Sequence, residues 1–369
     1  MVVLQVLNSK AIQPFLYANS ENKMTNLSIL NLVPIREGQT AKQAVDSMVK
    51  LAKHAENIGI ERYWIAEHHN MKNLASSATQ LLIQHALSHT EKLRVGSGGV
   101  MLPNHSPYIV AEQYGTLETL YPNRVELGLG RAPGTDMRTA TALRRNAQSL
   151  PFPDEISELK GYFDGTNPVS AYPAQGLNVP FYILGSSPES AYLAAERGLP
   201  YAFASHFAPR FMDDAIRIYR SHFKPSEVLD KPYVILGVNA IVAETDEEAA
   251  QLATTQTQFF LNVVTNAQQN LQPPLESDDK VWENFVKAEI VPHFGPVAFE
   301  QNALYRQEKT VVRQMTECSL IGSPQSVEQQ LKALKARVEI DEIMAVSYIF
   351  DEQKQQQSYA WLKQITDKV

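Results

Sequence analysis

The chain has 369 residues, 44% hydrophobic and 20% charged, a balance that builds a full core in a water-soluble protein. A net charge of -7 excludes the extended basic footprint of a nucleic-acid binder, and a single cysteine, Cys318, excludes an intramolecular disulfide and any multi-cysteine metal centre. No apolar run reaches the roughly 18–20 residues that a membrane helix needs, so a cytoplasmic protein acting on small molecules is expected.

Residues 1–23 have no basic start and no small-residue cleavage site, so no signal peptide is expected there. They read as a poorly ordered extension, or as the product of an upstream start codon, and residues 24–369 read as one domain. "SILNLV" (28–33) is the first buried strand pattern. Thr40 and Gln43 then form a capping-box pair ahead of Ala44, Met48, Leu51, Ala55 and Ile58, an apolar helical face that stops at Gly59.

The strand–helix unit recurs along the chain. Strand 62–66 precedes helix 76–89, strand 93–97 precedes helix 108–120, and strand 124–129 follows. Further on come strand 180–184 with helix 188–197, strand 200–204 with helix 210–222, strand 233–242 with helix 246–261, and strand 342–347 with helix 354–366. Strands apolar on both faces and separated by helices imply a parallel sheet covered by helices. Eight such units predict an α/β fold of the (β/α)8 TIM-barrel type, with a doubly wound open sheet as the competing architecture. Two excursions break the rhythm: 131–179 after strand 4, and 262–322 after the helix following strand 7. The second ends where Ser323 and Pro324 open another helix.

A barrel gathers its chemistry at the carboxyl ends of its strands. Strand 2 ends in Glu67, His68 and His69; strand 3 in "GSGGVMLPNH"; strand 4 in "GLGRAPG"; strand 5 in "LGSSPES"; strand 6 in "ASHF". At the strand 5 end, Ser187 is an N-cap candidate, Pro188 suits the first turn and Ser190 follows three residues on. That arrangement serves either as an anion site or as an ordinary capped helix. Arg131, from the neighbouring strand end, makes a phosphate clamp with it or pairs with a carboxylate such as Asp136. Gly98 and Gly99 within "GSGGV" let a flat group lie against backbone, or permit a non-proline cis bond; a flexible turn is the plainer reading.

Other patterns carry less. "GLGRAPG" has the spacing GxGxxxG, and no helix opens on it, so it is not a dinucleotide fingerprint. His68 and His69 are adjacent on an extended segment and point in opposite directions, so they do not share a metal. His85 and His89 lie at i,i+4 in an apolar helix with no carboxylate between them, and no metal is expected from them either. A histidine at a barrel mouth beside a carboxylate is instead suited to proton handling.

"WIAEHH" (64–69), "VGSGGVMLPNHSP" (95–107), "LGLGRAPG" (127–134) and "LGSSPESAYLAAERGLP" (184–200) together resemble the bacterial luciferase-like flavin monooxygenases, specifically the single-chain oxidoreductases of group one. The resemblance runs in order from about residue 27 to the last helix. It implies a barrel that binds FMN as FMNH2 supplied by a separate NAD(P)H:flavin reductase and activates O2 as a flavin hydroperoxide to oxygenate a small organic substrate. It implies a homodimer through the helices after strands 2 and 3. By position, Glu67 and His68 match the family's acid and catalytic histidine, with His69 beside them, and His68 is expected to act as a proton donor or acceptor oriented by Glu67. Gly98 and Gly99 match the cis peptide under the flavin ring, Arg131 matches the arginine on the flavin phosphate, and Ser187 and Ser190 match the phosphate-binding hydroxyls, with Ser186 beside them in "GSSPES". Gly130 stands where luciferases carry a reactive cysteine, so the resemblance does not extend to light emission. Three other readings use the same anion site: a deazaflavin-dependent oxidoreductase, a flavin-binding protein without turnover, and a barrel hydrolase of a phosphorylated sugar. The hydrolase needs a carboxylate pair or a metal cluster at the mouth, where Glu67 is the only strong candidate.

Overall fold

A computed structural model describes residues 24–131, 135–144, 150–287 and 301–369. The expected N-terminal extension, 1–23, and parts of both excursions therefore lie outside the described residues. The first strands and helices are β1 (Asn26–Asn31), α1 (Ala41–Asn57), β2 (Arg62–Ile65), α2 (Thr79–Leu87), β3 (Arg94–Met101), α3 (Pro107–Leu120) and β4 (Val125–Gly130). Next come α4 (Met137–Arg144), α5 (Phe152–Asp164), β5 (Phe181–Gly185), α6 (Pro188–Arg197), β6 (Tyr201–Phe203), α7 (Met212–His222) and β7 (Val234–Val242). The chain closes with α8 (Asp246–Thr265), α9 (Asp278–Lys287), α10 (Gln301–Met315), β8 (Ser319–Gly322), α11 (Pro324–Arg337), β9 (Glu342–Val346) and α12 (Glu352–Thr366).

Every pairing between the described strands is parallel, and β1 to β7 with β9 form a ring of eight that closes where β9 pairs with both β7 and β1. The expected barrel is present, and all eight strands lie where the apolar runs placed them. β8 is the addition. At nine residues, β7 outruns β6: Val234–Leu236 pair with β6, and Asn239–Val242 pair with β8 beyond its end. A four-residue strand with the burial pattern of a half-exposed edge carries almost no periodic signal, which is why the sequence reading left 319–322 inside an excursion. That reading also assigned no helix to 131–179, whereas α5 packs on α3 and fills the barrel's fourth helical position.

Local sequence explains the outer layer. Thr40 caps α1 with the reciprocal Gln43 bonds of a capping box, an arrangement worth about 1 kcal/mol. Ser323 caps α11 by accepting from the Ser326 N–H, without the reciprocal bond. Alternation along β2 sends Tyr63 and Ile65 into the core shared with the helices, and Trp64 and Ala66 into the barrel interior with Leu30, Tyr182, Ile235 and Met344.

The amino end of that interior is ionic. Arg62 is buried and pairs with Glu126 at 2.7 Å and with Glu342, while Arg94 reaches Glu126 at 3.1 Å. Trp64 Nε1 donates to Glu126 at 2.8 Å, and Tyr233 OH donates to Glu342 at 2.7 Å. Burial works against the Glu126 carboxylate, yet Arg62 and then Arg94 overcome it and pull its pKa down to about 2. Buried charges persist only when paired and hydrogen-bonded in this way.

Candidate active site

The segment after β2 leaves the barrel wall under close restraint. Ala66 N–H donates to Asn31 O at 3.0 Å, His68 N–H donates to Ser76 O at 3.3 Å, and Thr79 Oγ1 donates to Ala66 O at 3.1 Å. These bonds fix Glu67 in a fully buried position. Its Oε1 accepts from His69 Nε2 at 3.0 Å and from His105 Nε2 at 2.8 Å, while its Oε2 is buried with no hydrogen-bond partner. Burial opposes the charged form, but the hydrogen bonds from His105 and then His69 hold the Glu67 carboxyl below its usual range.

That geometry corrects one expectation. Glu67 was expected to orient His68; it bonds His69 and His105 instead. Adjacent residues on an extended segment point in opposite directions, which accounts for the exchange. His68 acts electrostatically on His206, which lies just past the end of β6, four strands round the ring. His206 is buried, its Nδ1 lacks a hydrogen-bond partner, and its pKa is pushed down to about 3 by burial first and by His68 second. Its position is set by backbone: Asn239 Nδ2 donates to His206 O at 2.7 Å, and a Cβ on Gly237 would meet His206 Nδ1 at 2.5 Å, so only glycine leaves room for the ring.

Neither His105 nor His206 was singled out from the sequence, although both stand in segments that end barrel strands, "MLPNH" and "ASHF". The usable signal was position: a titratable side chain just past a strand's carboxyl end faces the mouth.

On the β3 wall, the Gly98–Gly99 peptide is cis, one of the two forms expected for "GSGGV". A Cβ on Gly98 would meet Leu30 Cδ1 at 2.5 Å, and one on Gly99 would meet Gly128 O at 2.8 Å. Side chains are excluded at both positions, and the wall stays flat.

At the β5 end, Ser187 occupies the N-cap position of α6 with extended backbone, but its side chain makes no capping bond. The expected Ser187 cap is thus absent; Pro188 has no N–H and the Glu189 carboxylate accepts from its own backbone N–H, so the later amides of the first turn are the ones left for another acceptor. Ser190 differs too: its hydroxyl lies 2.7 Å from Ser187 O and 2.9 Å from Tyr201 OH, so it braces the turn. Ser186 and Ser187 are half-buried on the turn itself. Arg131 is exposed and acts on Glu189 in the first turn of α6, where the Ser187 hydroxyl and Arg131 both hold the Glu189 carboxyl below its usual range. Asp136, the alternative partner for Arg131, is occupied elsewhere: it accepts from Thr139 and from Asn70 Nδ2 at 2.9 Å. Thr135 Oγ1 donates to His69 O at 3.2 Å, so the segment after β4 is tied to the strand 2 end.

The mouth therefore holds a helix N-terminus without a serine cap beside an exposed arginine that acts on Glu189, a side-chain-free strand wall and a buried carboxylate between two imidazoles. The first pair suits a phosphate, the wall suits a planar ring, and the carboxylate with its imidazoles suits proton handling.

Comparison with known proteins agrees with that donor set. A family model described as luciferase-like monooxygenase matches residues 25–339. YvbT of Bacillus subtilis (strain 168) is 44% identical over 347 residues, covering 93% of this chain and 97% of the relative. A luciferase-like monooxygenase of Escherichia coli (strain K12) is 42% identical over 343 residues, covering 92% and 96%. Among solved structures, apo-MsnO8 superposes with a TM-score of 0.79 at 30% identity, covering 94% of this chain and 99% of that one. The chain belongs to the luciferase-like monooxygenase family, and it is a flavin-dependent monooxygenase.

Proposed function

We propose that the protein takes FMN in its reduced form from a separate NAD(P)H:flavin reductase and uses it with O2 to oxygenate a small organic substrate. The observation that carries this reading is the start of α6, where Ser187 makes no capping bond, beside Arg131. Amides at a helix N-terminus and a guanidinium fork together suit a terminal phosphate, which FMN has and riboflavin lacks and which would displace the Glu189 carboxylate from both. Arg131, Ser186 and Ser187 would hold that phosphate, with Ser190 bracing their turn. Gly98 and Gly99 would lie under the isoalloxazine ring.

Reduced flavin supplies the electrons for oxygen activation. This chain's residues supply the surroundings. His68 holds or moves a proton at the mouth, against His206 on the opposite wall. Glu67, fully buried, keeps the half-buried His69 and His105 in place. Leu81 on α2 and Ile109 and Leu120 on α3 are exposed apolar side chains on neighbouring helices, which supports a homodimer through that face.

The test is anaerobic titration with FMNH2 followed by a pulse of O2, with flavin absorbance as the readout. Reoxidation at least about tenfold slower than for free FMNH2 is expected. Saturable binding followed by reoxidation at the free rate would sink the reading. His68→Ala should slow turnover far more than it weakens FMN binding, and equal loss of both would remove His68 from the proposal.

A further inference from the structure

The Glu67 cluster has a second chemistry beyond the flavin reading. Two imidazole nitrogens and one carboxylate oxygen, from two different strand ends, lie within 4.8 Å of one another. This is the ligand set that binds zinc in open, three-ligand sites, where donor atoms about 2.1 Å from the metal stand roughly 3.4 Å apart. The observed separations from Glu67 Oε1, 3.0 Å to His69 Nε2 and 2.8 Å to His105 Nε2, need only a small expansion to reach it. Glu67 is fully buried, and its Oε2 has no hydrogen-bond partner, so the carboxylate has unused acceptor capacity inside the cluster. The side chains of His69 and His105 are 12% and 23% exposed, which leaves a route for an ion to enter.

We propose that Glu67, His69 and His105 form a binding site for a divalent transition metal with the ligand preference of zinc, its remaining coordination completed by solvent. Binding replaces the two hydrogen bonds at Glu67 Oε1 with metal–ligand bonds: each Nε2 presents its lone pair, and its proton moves to Nδ1 or to solvent. The metal form and the hydrogen-bonded form are mutually exclusive. A bound ion therefore withdraws Glu67 and His69 from any role at the flavin, and zinc acts as a reversible inhibitor at this position.

Two other features carry no such site. His85 at the end of α2 and His89 just past it have rings 4.5 Å apart but form no three-ligand group with a carboxylate among the described residues, and His89 Nδ1 is engaged with His85 O at 2.8 Å. A cleft of about 240 Å³ beside Cys318 is lined by Arg337, Glu317 and Gln330, but nothing in it selects a ligand.

The experiment is calorimetric titration of chelator-stripped, full-length protein with ZnCl2, with no flavin present, on wild type, His105→Ala, Glu67→Gln and His89→Ala. One ion per chain is expected, with affinity falling at least about 100-fold in His105→Ala and Glu67→Gln, because loss of even an outer partner costs 10- to 100-fold. His89→Ala should match wild type. Absence of stoichiometric binding, equal binding by His105→Ala, or loss in His89→Ala alone overturns the proposal. Should His105→Ala fail to fold, Co2+ substitution of wild type keeps the test open: intense visible bands of a four-coordinate N,O site are expected, and the weak spectrum of a six-coordinate ion refutes it. Because flavin is absent throughout, failure here leaves the flavin reading untouched.

Discussion

His105 lies 2.8 Å from Glu67 through its Nε2, although 38 positions separate the two along the chain. The contact joins the ends of adjacent barrel strands, and it makes His105 a structural partner of the "AEHH" segment. His105→Ala removes the stronger of the two hydrogen bonds that hold the Glu67 carboxylate. Turnover should fall roughly 10- to 100-fold, since a misplaced reacting group costs on that order, while FMN affinity stays within about threefold. Steady-state kinetics alongside fluorescence titration of FMN separates these; loss confined to FMN binding would contradict the assignment.

Arg131 is the second place where a single substitution discriminates. Charge-assisted hydrogen bonds contribute about 1.5–3 kcal/mol, so Arg131→Ala should weaken FMNH2 binding roughly 10- to 100-fold. Reduced riboflavin, which has no phosphate, should bind wild type and variant equally. An equal loss for both ligands would mean that the guanidinium serves the ring or the fold.

The ionic layer at the amino end of the barrel makes a prediction about stability. Arg62→Met leaves Glu126 and Glu342 buried without their principal partner. Removal of one member of a buried pair typically costs 3–5 kcal/mol, so a comparable drop is expected in denaturant unfolding. The double replacement Arg62→Met with Glu126→Gln should recover part of it, because it also removes a stranded charge. No difference between single and double variants would show that the pair does not act as a unit.

His206 predicts how stability follows pH. Its folded pKa, pushed down to about 3, lies below the ordinary value of 6.5, so the unfolded chain binds the proton more readily. Its contribution is fully present above pH 6.5 and is lost as pH falls toward 3, reaching a loss of about 2 kcal/mol at pH 5. His206→Asn should flatten that part of the unfolding free-energy profile between pH 7 and pH 5. An unchanged slope would show that His206 is protonated or solvated in the folded protein.

Much of this architecture was legible before any coordinates. Each of the eight ring strands is a short apolar run, and the principal helices carry periodic faces or terminal signals such as Thr40 with Gln43 and Ser323 with Pro324. Those signals are local, because backbone hydrogen bonding and side-chain periodicity are decided within a few residues. Eight repeats in order imply the ring, and the ring brings Glu67, Gly98, Arg131 and Ser187 to one end. Three things were decided only by tertiary structure. The bond partners of Glu67 depend on where the β3 end lies beside the β2 end, and no spacing in the chain encodes that distance. The burial of Arg62, Glu126 and Glu342 depends on ring closure, since each strand alone shows one charge in an apolar run, and only a closed interior makes the charges meet. The bare N-cap of α6 depends on where the Ser187 and Ser190 hydroxyls turn, toward Glu189, Ser187 O and Tyr201 OH. A serine at an N-cap position names a capability, and its neighbours in space decide whether the hydroxyl caps the helix or leaves its amides for a ligand.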